Sequence, residues 1–445
     1  MFRGFIVKKG FVALLLGLAL VVLVSPGIVG RLAERSMDEN LDWAATESQK
    51  VVVTSQGFDR GWFSSAGQHR VEIRDGELQQ LLLALTGAGN ASELPALIID
   101  TRLDHGLIPL ASMSRDKGTL MPGLGSAISS VSIELADGEI IQMPGTIYSD
   151  VNLTGALRSE FILATGSHEL EGADAEWGDI AIEIVTNPAT GTIELDGTLA
   201  SVSLAADDEF FRVGEIEFTG KQRRSRFGFW VGDADFMMQA MTFKNDLDNP
   251  TSFGPLTIGS TSAVDGGRVS GRATIRLENM PAAEFGAAGI SADINLIEVD
   301  GAALGQITDA LNQMQKGGSA EDFRFVVEND LRRLLSAGFE LRIDQLDVSL
   351  PQGVINSKFR FLVEETDSDT FVWTSVLLAL DASAELRMPV ELVELMTEMD
   401  PQMHSAIGMG FLRKNGDFYE MEATFKKGLL TVNGAPMPIP IPGIQ

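Results

Sequence analysis

The 445-residue chain contains no cysteine. Disulfide bonds, thiolate nucleophiles and cysteine metal sites are therefore excluded. Basic residues are also scarce, since 34 Lys and Arg stand against 62 Asp and Glu, which gives a net charge of −28. A surface this acidic repels phosphate backbones, so we expect no nucleic acid among the partners.

Tyrosine is almost missing, with 2 residues against 24 phenylalanines. Phenylalanine rings have no hydroxyl group to satisfy, so most of them favour dry surroundings. Hydrophobic residues make up 44% of the chain and charged residues 22%, a composition typical of a globular protein with a sizeable core. The length corresponds to roughly three domains.

One long uncharged segment lies near the start of the chain. All 21 residues from Gly10 to Gly30 lack a charge. At about 1.5 Å rise per residue, a helix of this length matches the hydrocarbon core of a bilayer, so we predict a single transmembrane helix. Its large apolar side chains include Phe11, Leu14, Leu15, Leu16, Leu18, Leu20, Val21, Val22 and Leu23.

The charges that flank this segment predict its orientation. Arg3, Lys8 and Lys9 precede it, so the positive-inside rule places the N-terminus in the cytoplasm and the chain from residue 31 onward across the membrane. A cleaved signal peptide is the alternative. Residues 25–31 contain no small-x-small site at a convincing distance, so we expect a retained, single-pass anchor.

The exported part is rich in strand patterns. Phe339, Leu341 and Ile343 alternate with charged residues, which predicts a strand with one buried and one wet face. Consecutive strands separated by Gly and Asp turns favour antiparallel pairing. Strands are predicted at 50–74 (a hairpin), 130–141, 146–164, 178–186, 191–205, 213–219, 226–231, 255–263, 268–278, 290–299, 339–350, 354–364, 375–388, 418–425 and 428–434.

Helices are fewer. After a helical stalk at 31–49 we predict helices at 77–86, 303–315, 321–337, 389–399 and 402–412. The fold class expected is therefore α+β, predominantly antiparallel β, as an elongated or curved periplasmic body behind one transmembrane helix. We divide the chain into an anchor (1–30), a strand-rich region (31–302) and a region of helices and antiparallel strands (303–445).

Several short motifs occur in a fixed order along the chain. They are Gly61, Trp62, Phe63, Ser64 and Ser65 at the first hairpin, His105 and Gly106 after an apolar strand, and Asn433 and Gly434 near the end. With the charged start and the single span, they resemble the YdgA-like family of bacterial envelope proteins. This resemblance implies a periplasmic protein anchored in the inner membrane of a Gram-negative cell, with no defined catalytic residues. The architecture is also similar to AsmA-type envelope proteins, which bind lipid on long curved sheets.

Motifs for catalysis or metal binding are missing. A nucleophile elbow, a P-loop, a dinucleotide fingerprint and a His-Glu-x-x-His zinc motif do not occur. Acidic clusters at 207–209 and 364–369 offer oxygen ligands, yet they lack the spacing of a calcium loop and predict solvated turns. The histidines are far apart in the sequence, at His69, His105, His168 and His404. We expect no catalytic residue, no cofactor and no metal.

One basic cluster stands out in the acidic chain. It consists of Lys221, Arg223, Arg224 and Arg226. One interpretation is an edge strand whose charges prevent sheet-to-sheet aggregation. The other is a contact with lipid headgroups or an acidic partner.

The function expected is non-catalytic binding or scaffolding in the cell envelope, with a lipid or acyl chain held on a curved sheet. This hypothesis rests on a long series of half-apolar strands with too few helices to cover them. An interaction protein that docks an envelope partner through its acidic surface is the alternative. An envelope hydrolase with paired carboxylates is a third hypothesis.

Overall fold

The computed structural model describes residues 51–60, 64–73, 94, 96–105, 123–134, 138, 140–170, 173–206, 209–244, 250–282, 286–315, 320–366, 373–399 and 401–437. The predicted anchor, the stalk and the helix at 77–86 lie outside these ranges. Within them, none of the helices combines the length and the apolar character that a membrane span requires.

The described part of the chain consists mainly of strands. They are β1 (Val51–Arg60), β2 (Ser64–Ile73), β3 (Ala96–His105), β4 (Gly123–Glu134), β5 (Ile140–Asn152), β6 (Leu157–Leu163), β7 (Gly166–Leu170), β8 (Ala173–Trp177), β9 (Ile180–Asn187), β10 (Thr192–Leu199), β11 (Val202–Ala206), β12 (Glu209–Val213), β13 (Ile216–Arg224), β14 (Trp230–Met238), β15 (Met241–Lys244), β16 (Thr251–Phe253), β17 (Leu256–Asp265), β18 (Arg268–Ala282), β19 (Gly286–Asp300), β20 (Phe339–Leu350), β21 (Gly353–Val363), β22 (Leu380–Pro389), β23 (Arg413–Asn415), β24 (Phe418–Lys426), β25 (Leu429–Val432) and β26 (Ala435–Met437).

Five helices occur among the described residues. They are α1 (Gly301–Gln315), α2 (Ala320–Ala337), α3 (Trp373–Ala379), α4 (Val390–Met399) and α5 (Pro401–Gly408). The predicted fold class, strand-rich and mostly antiparallel with few helices, is confirmed for this part of the chain. The prediction of a strand over the whole of 375–388 is wrong, because α3 continues to Ala379. Trp373, Val376 and Leu377 recur at helical spacing there, which explains the difference.

The chain forms two compact units. The first comprises residues 1–221 and 241–251, and the second comprises 222–240 and 252–445. The division predicted at 302/303 falls within the second unit and stays a prediction. Strands β19 and β20, on either side of that division, pair with each other from Gly289–Ser349 to Ile297–Glu340.

The first unit contains two antiparallel sheets. In the larger one each strand pairs with the next in the order β1-β2-β3-β4-β5-β6-β9-β10. The smaller one has the order β7-β8-β11-β12-β15. Ile147, Phe161 and Ile182 lie opposite one another on the buried face of the larger sheet, each at most 4% exposed. Thr101 and Ser129 continue this row and satisfy each other through a hydrogen bond of 2.8 Å.

The second unit is one antiparallel sheet with helices beside it. Its strand order is β14-β17-β18-β19-β20-β21-β22-β24-β25-β26, and the short strand β23 also pairs with β24. Helices α1 and α2 pack against each other and both contact β19, while α4 contacts β22 and β24.

Candidate functional site

The sheet of the second unit has one apolar face, formed by three rows of side chains that run across the strands. In each row, every residue pairs with the next one. The central row is Phe236, Ile258, Ile275, Ala292, Leu346, Ser357, Leu386 and Met421. The second row is Ala234, Ser260, Ala273, Ile294, Ile343, Phe359, Ala384, Ala423 and Val432. The third row is Ser262, Gly271, Leu296, Leu341, Phe361, Ala382, Phe425 and Leu430.

The apolar face keeps contact with solvent. Ile258 and Leu346, both in the central row, are each 37% exposed, and none of that row is buried. The corresponding apolar row in the first unit is at most 4% exposed. Large exposed patches of this kind on soluble proteins mark binding surfaces. The apolar face is therefore the candidate site.

A bulge in β20 keeps the apolar residues on one face. Ile343 pairs with Phe359 and Leu346 pairs with Ser357, so β20 has one residue more than β21 in this interval. In a regular strand, residues three positions apart lie on opposite sides of the sheet, so Leu346 shares a face with Ile343 only because the bulge absorbs one residue. Asp344, in the bulge, accepts a hydrogen bond of 2.9 Å from the side-chain amide of Asn295.

The opposite face of the same sheet is polar. One of its rows is Asp233, Thr261, Arg272, Asn295, Arg342, Arg360, Ser383, Thr424 and Thr431. Arg272 binds Asp293 through two hydrogen bonds of 2.6 and 2.9 Å, and this hydrogen bonding lowers the pKa of the Asp293 carboxyl. Paired charges of this kind keep this face in contact with water, so the two faces of the sheet differ in chemistry.

An open depression of about 1030 Å³ also lies in the second unit. Its lining carries charges of both signs, with Lys358, Arg387 and Glu385 among them. Arg387 is 3.5 Å from Glu420, which also lines it. Such a lining is well suited to water and small polar solutes, and offers little to an apolar ligand.

The predicted basic cluster is divided between the two units. Lys221 belongs to the first unit, where its ammonium group forms an ion pair with Glu194. Arg223, Arg224 and Arg226, which we call the arginine tip, belong to the second unit and are exposed. Among the described residues, the arginine tip forms no ion pair with a carboxylate.

The arginine tip lies at the turn between β13 and β14. The Ser225 amide donates a 2.8 Å hydrogen bond to the carbonyl oxygen of Phe229, and Gly228 takes a φ of 94° in the turn. The strand predicted at 226–231 is therefore wrong in its first part, because β14 begins only at Trp230. The glycine permits the left-handed conformation that this tight turn requires.

The residues of the predicted family motifs lie partly outside the described ranges. This applies to Gly61, Trp62, Phe63 and Gly106. Ser64 and Ser65 begin β2, and His105 ends β3 opposite Gly125. Ser65 is 3% exposed, so it is a buried sheet residue.

The Asn433–Gly434 motif forms the turn between β25 and β26. Both residues have a positive φ, of 49° and 78°, as a two-residue hairpin turn of the primed type requires. The Asn433 side chain donates to the carbonyl oxygens of Gly410 and Phe411 at 2.9 and 3.0 Å. The motif thus has a structural role, fixing the terminal hairpin to the loop after α5.

Sequence reasoning did not single out the buried position of His69. Its side chain is 2% exposed, on the buried face of the larger sheet in the first unit. Burial lowers the pKa of its imidazole, and the nearby Asp100 carboxylate partly offsets this by raising it. The alternation of Ser65, Gly67, His69 and Val71 along β2 was the available signal.

A comparison with protein families assigns the chain to one of them. The family model described as a bacterial protein of unknown function (DUF945) matches residues 7–440. The chain belongs to this family. Searches of curated proteins and of solved structures returned no match. Membership of DUF945 covers nearly the whole sequence, while the finer likeness to YdgA-like and AsmA-type proteins stays a prediction.

Proposed function

We propose that this member of the DUF945 family is a non-catalytic lipid-binding protein of the cell envelope, which holds an acyl chain against the apolar face. The observation that carries the proposal is the partial exposure of three apolar rows across neighbouring strands. Leu346 and Ile258, at 37% exposure, are its clearest examples.

The dimensions of the face suit an acyl chain. The second row crosses nine strands, which at about 4.8 Å between strands is roughly 38 Å along the sheet. An extended acyl chain fits within that length. Small side chains such as Ala292 and Ala384 lie beside large ones such as Leu386 and Phe359. The face is therefore uneven, and a flexible chain can pack into its hollows.

The chemistry of the face also favours a lipid. Its three rows contain no charged side chain, and an acyl chain needs no hydrogen-bond partner. Burying ten methylene groups contributes about 8 kcal/mol, which corresponds to roughly micromolar affinity before ordering costs are subtracted. A polypeptide partner would instead bring backbone donors and acceptors that this face cannot satisfy.

The proposed location follows from the uncharged segment at 10–30. A retained anchor would hold the apolar face near the bilayer surface, where acyl chains are available. The positive-inside arrangement of Arg3, Lys8 and Lys9 would place the face outside the cytosol.

A photo-crosslinking experiment tests the proposal on the full chain. The photoreactive amino acid p-benzoylphenylalanine is introduced at Ile258, and irradiated cell membranes are analysed by mass spectrometry for lipid adducts. Thr257 provides the matched control, because it is the preceding residue, is also exposed to solvent, and lies on the polar face. We expect lipid adducts at position 258 and none at 257.

Equal adduct formation at both positions, or none at 258, would contradict acyl-chain binding. Leu346→Glu serves as a second variant, because a charge in the central row should remove the adducts at position 258. Since Leu346 is partly exposed, the free energy of unfolding of this variant should lie within about 1 kcal/mol of the wild-type value. Misfolding would then not explain the loss of lipid adducts.

A further inference from the structure

We propose that the arginine tip binds the headgroup of the lipid, so that the ligand is an anionic phospholipid. This inference rests on the proposed function and adds the headgroup class to it. Three exposed arginines within four residues carry it, in a chain whose net charge is −28. Acidic phosphate esters are the ligands that guanidinium groups recognise best.

The packing of Phe227 fixes the position of the tip. Its ring lies over Gly301 at the start of α1, and a side chain at Gly305 would come within 2.6 Å of the Phe227 carbonyl oxygen. Both glycines leave room for the turn to rest directly on the helix. The arginine tip is therefore held by the fold of the second unit.

Arg226 contacts both Phe227 and the neighbouring turn between β17 and β18. Its guanidinium carbon lies 4.8 Å from the centroid of the Phe227 ring, a cation–π contact. A terminal nitrogen of the same group reaches the turn between β17 and β18, where it lies against Gly267. The positive charge is thus located at the end of the two strands that carry Ser262 and Gly271.

This end of the sheet borders the apolar face. From Gly267, the chain continues along β18 to Gly271, which belongs to the third row. At about 3.3 Å per residue, the separation along the strand is roughly 13 Å. A phospholipid could therefore place its phosphate at the arginine tip and its acyl chain on the apolar face.

The arrangement predicts selectivity for charge. A basic residue near an anionic lipid surface changes binding about fivefold, so three arginines correspond to a preference on the order of 100-fold. A neutral headgroup would lose this contribution and keep the apolar contacts. The ratio of the affinities for anionic and neutral lipids therefore measures the contribution of the arginine tip separately from that of the apolar face.

Native mass spectrometry of the full chain in detergent tests the inference. Dioleoylphosphatidylglycerol and dioleoylphosphatidylcholine are added separately, because they share acyl chains and differ in headgroup charge. We expect the wild type to retain the anionic lipid on the order of 100-fold more strongly. The variant Arg223→Ser, Arg224→Ser, Arg226→Ser should bind the two lipids alike, with unchanged retention of phosphatidylcholine.

A second triple variant provides the charge-matched control. Arg413→Ser, Lys414→Ser and Lys427→Asn remove three exposed cations from the same unit and should keep the preference. Loss of preference in this control would overturn the inference, because net charge alone would then explain the effect. Equal retention of both lipids by the wild type would overturn it while leaving acyl binding intact. Retention of neither lipid would overturn the proposed function as well.

Discussion

His69 is a buried imidazole whose surroundings favour its neutral form. Its side chain lies opposite Ser55 on one neighbouring strand and Ile99 on the other. Its Nδ1 has no hydrogen-bond partner among the described residues. An uncharged ring tolerates such a place better than a charged one, because protonation would bury a cation.

The lowered pKa of His69 predicts a pH dependence of folding. The ordinary pKa of histidine is 6.5, and the unfolded chain takes up the proton near that value. The stability that the neutral ring contributes is complete above pH 6.5 and is lost as the pH falls toward the lowered folded-state pKa. Between pH 7 and 5.5, we expect the free energy of unfolding of the wild type to fall. The substitution His69→Gln should make this fall smaller by up to about 1.4 kcal/mol per pH unit. Urea titrations at several pH values measure this.

His404 provides the comparison for this experiment. It is exposed on α5, so His404→Gln should leave the pH profile as it is in the wild type. If both variants behaved alike, burial of His69 would not be the cause of the acid sensitivity.

The contact between the β13–β14 turn and α1 depends on two glycines in the helix. Gly301 and Gly305 are one helical turn apart, so they lie on the same side of α1, beneath Phe227. A methyl group at Gly305 would meet the Phe227 backbone, which cannot rotate away as a side chain could. The two glycines therefore lower the intrinsic stability of the helix, but they allow the turn to pack against it.

Gly305→Ala should destabilise the protein despite the better helix propensity of alanine. We expect a loss of about 1–3 kcal/mol from the forced displacement of the turn. Gly408→Ala in α5 is the control, since a methyl group there would meet nothing within 4 Å, and it should be neutral or slightly stabilising. Thermal unfolding followed by circular dichroism distinguishes the two, and equal midpoints would disprove the close contact.

Much of the secondary structure is determined locally and could be predicted. The helices at 301–315 and 320–337 agree with the predictions of 303–315 and 321–337, because their apolar residues recur at helical spacing. The alternation of Phe339, Leu341 and Ile343 likewise indicated one apolar face. By contrast, α3 was missed because its seven residues precede a strand of similar composition.

The composition of the apolar face could be predicted only in part. The pairing of Leu386 with Met421 joins strands separated by α4 and α5, so no local pattern specifies it. Partial exposure of Leu346 depends on what covers the sheet as a whole. The Asn433–Gly434 pair is typical of a tight hairpin turn, yet the strand predicted at 428–434 included both residues, whereas β25 ends at Val432.

At the scale of the whole molecule, the proposed location requires the apolar face to lie on the periplasmic side of the membrane. Alkaline phosphatase is active only outside the reducing cytosol, so a fusion after Gln445 should be active in a Gram-negative host. Deletion of residues 1–30 should abolish that activity, because we propose that the uncharged segment directs export. An inactive full-length fusion, or an active fusion without residues 1–30, would contradict the proposed location.

The extra residue in β20 gives this protein an unusual tolerance of a shorter strand. If Gln345 were deleted, Asp344 alone would lie between Ile343 and Leu346, and these two residues would keep Phe359 and Ser357 as their partners. In a regular strand, by contrast, the loss of one residue turns every later side chain to the other side of the sheet. At this position a single missing codon would therefore leave the oil-loving and water-loving sides of the strand unmixed.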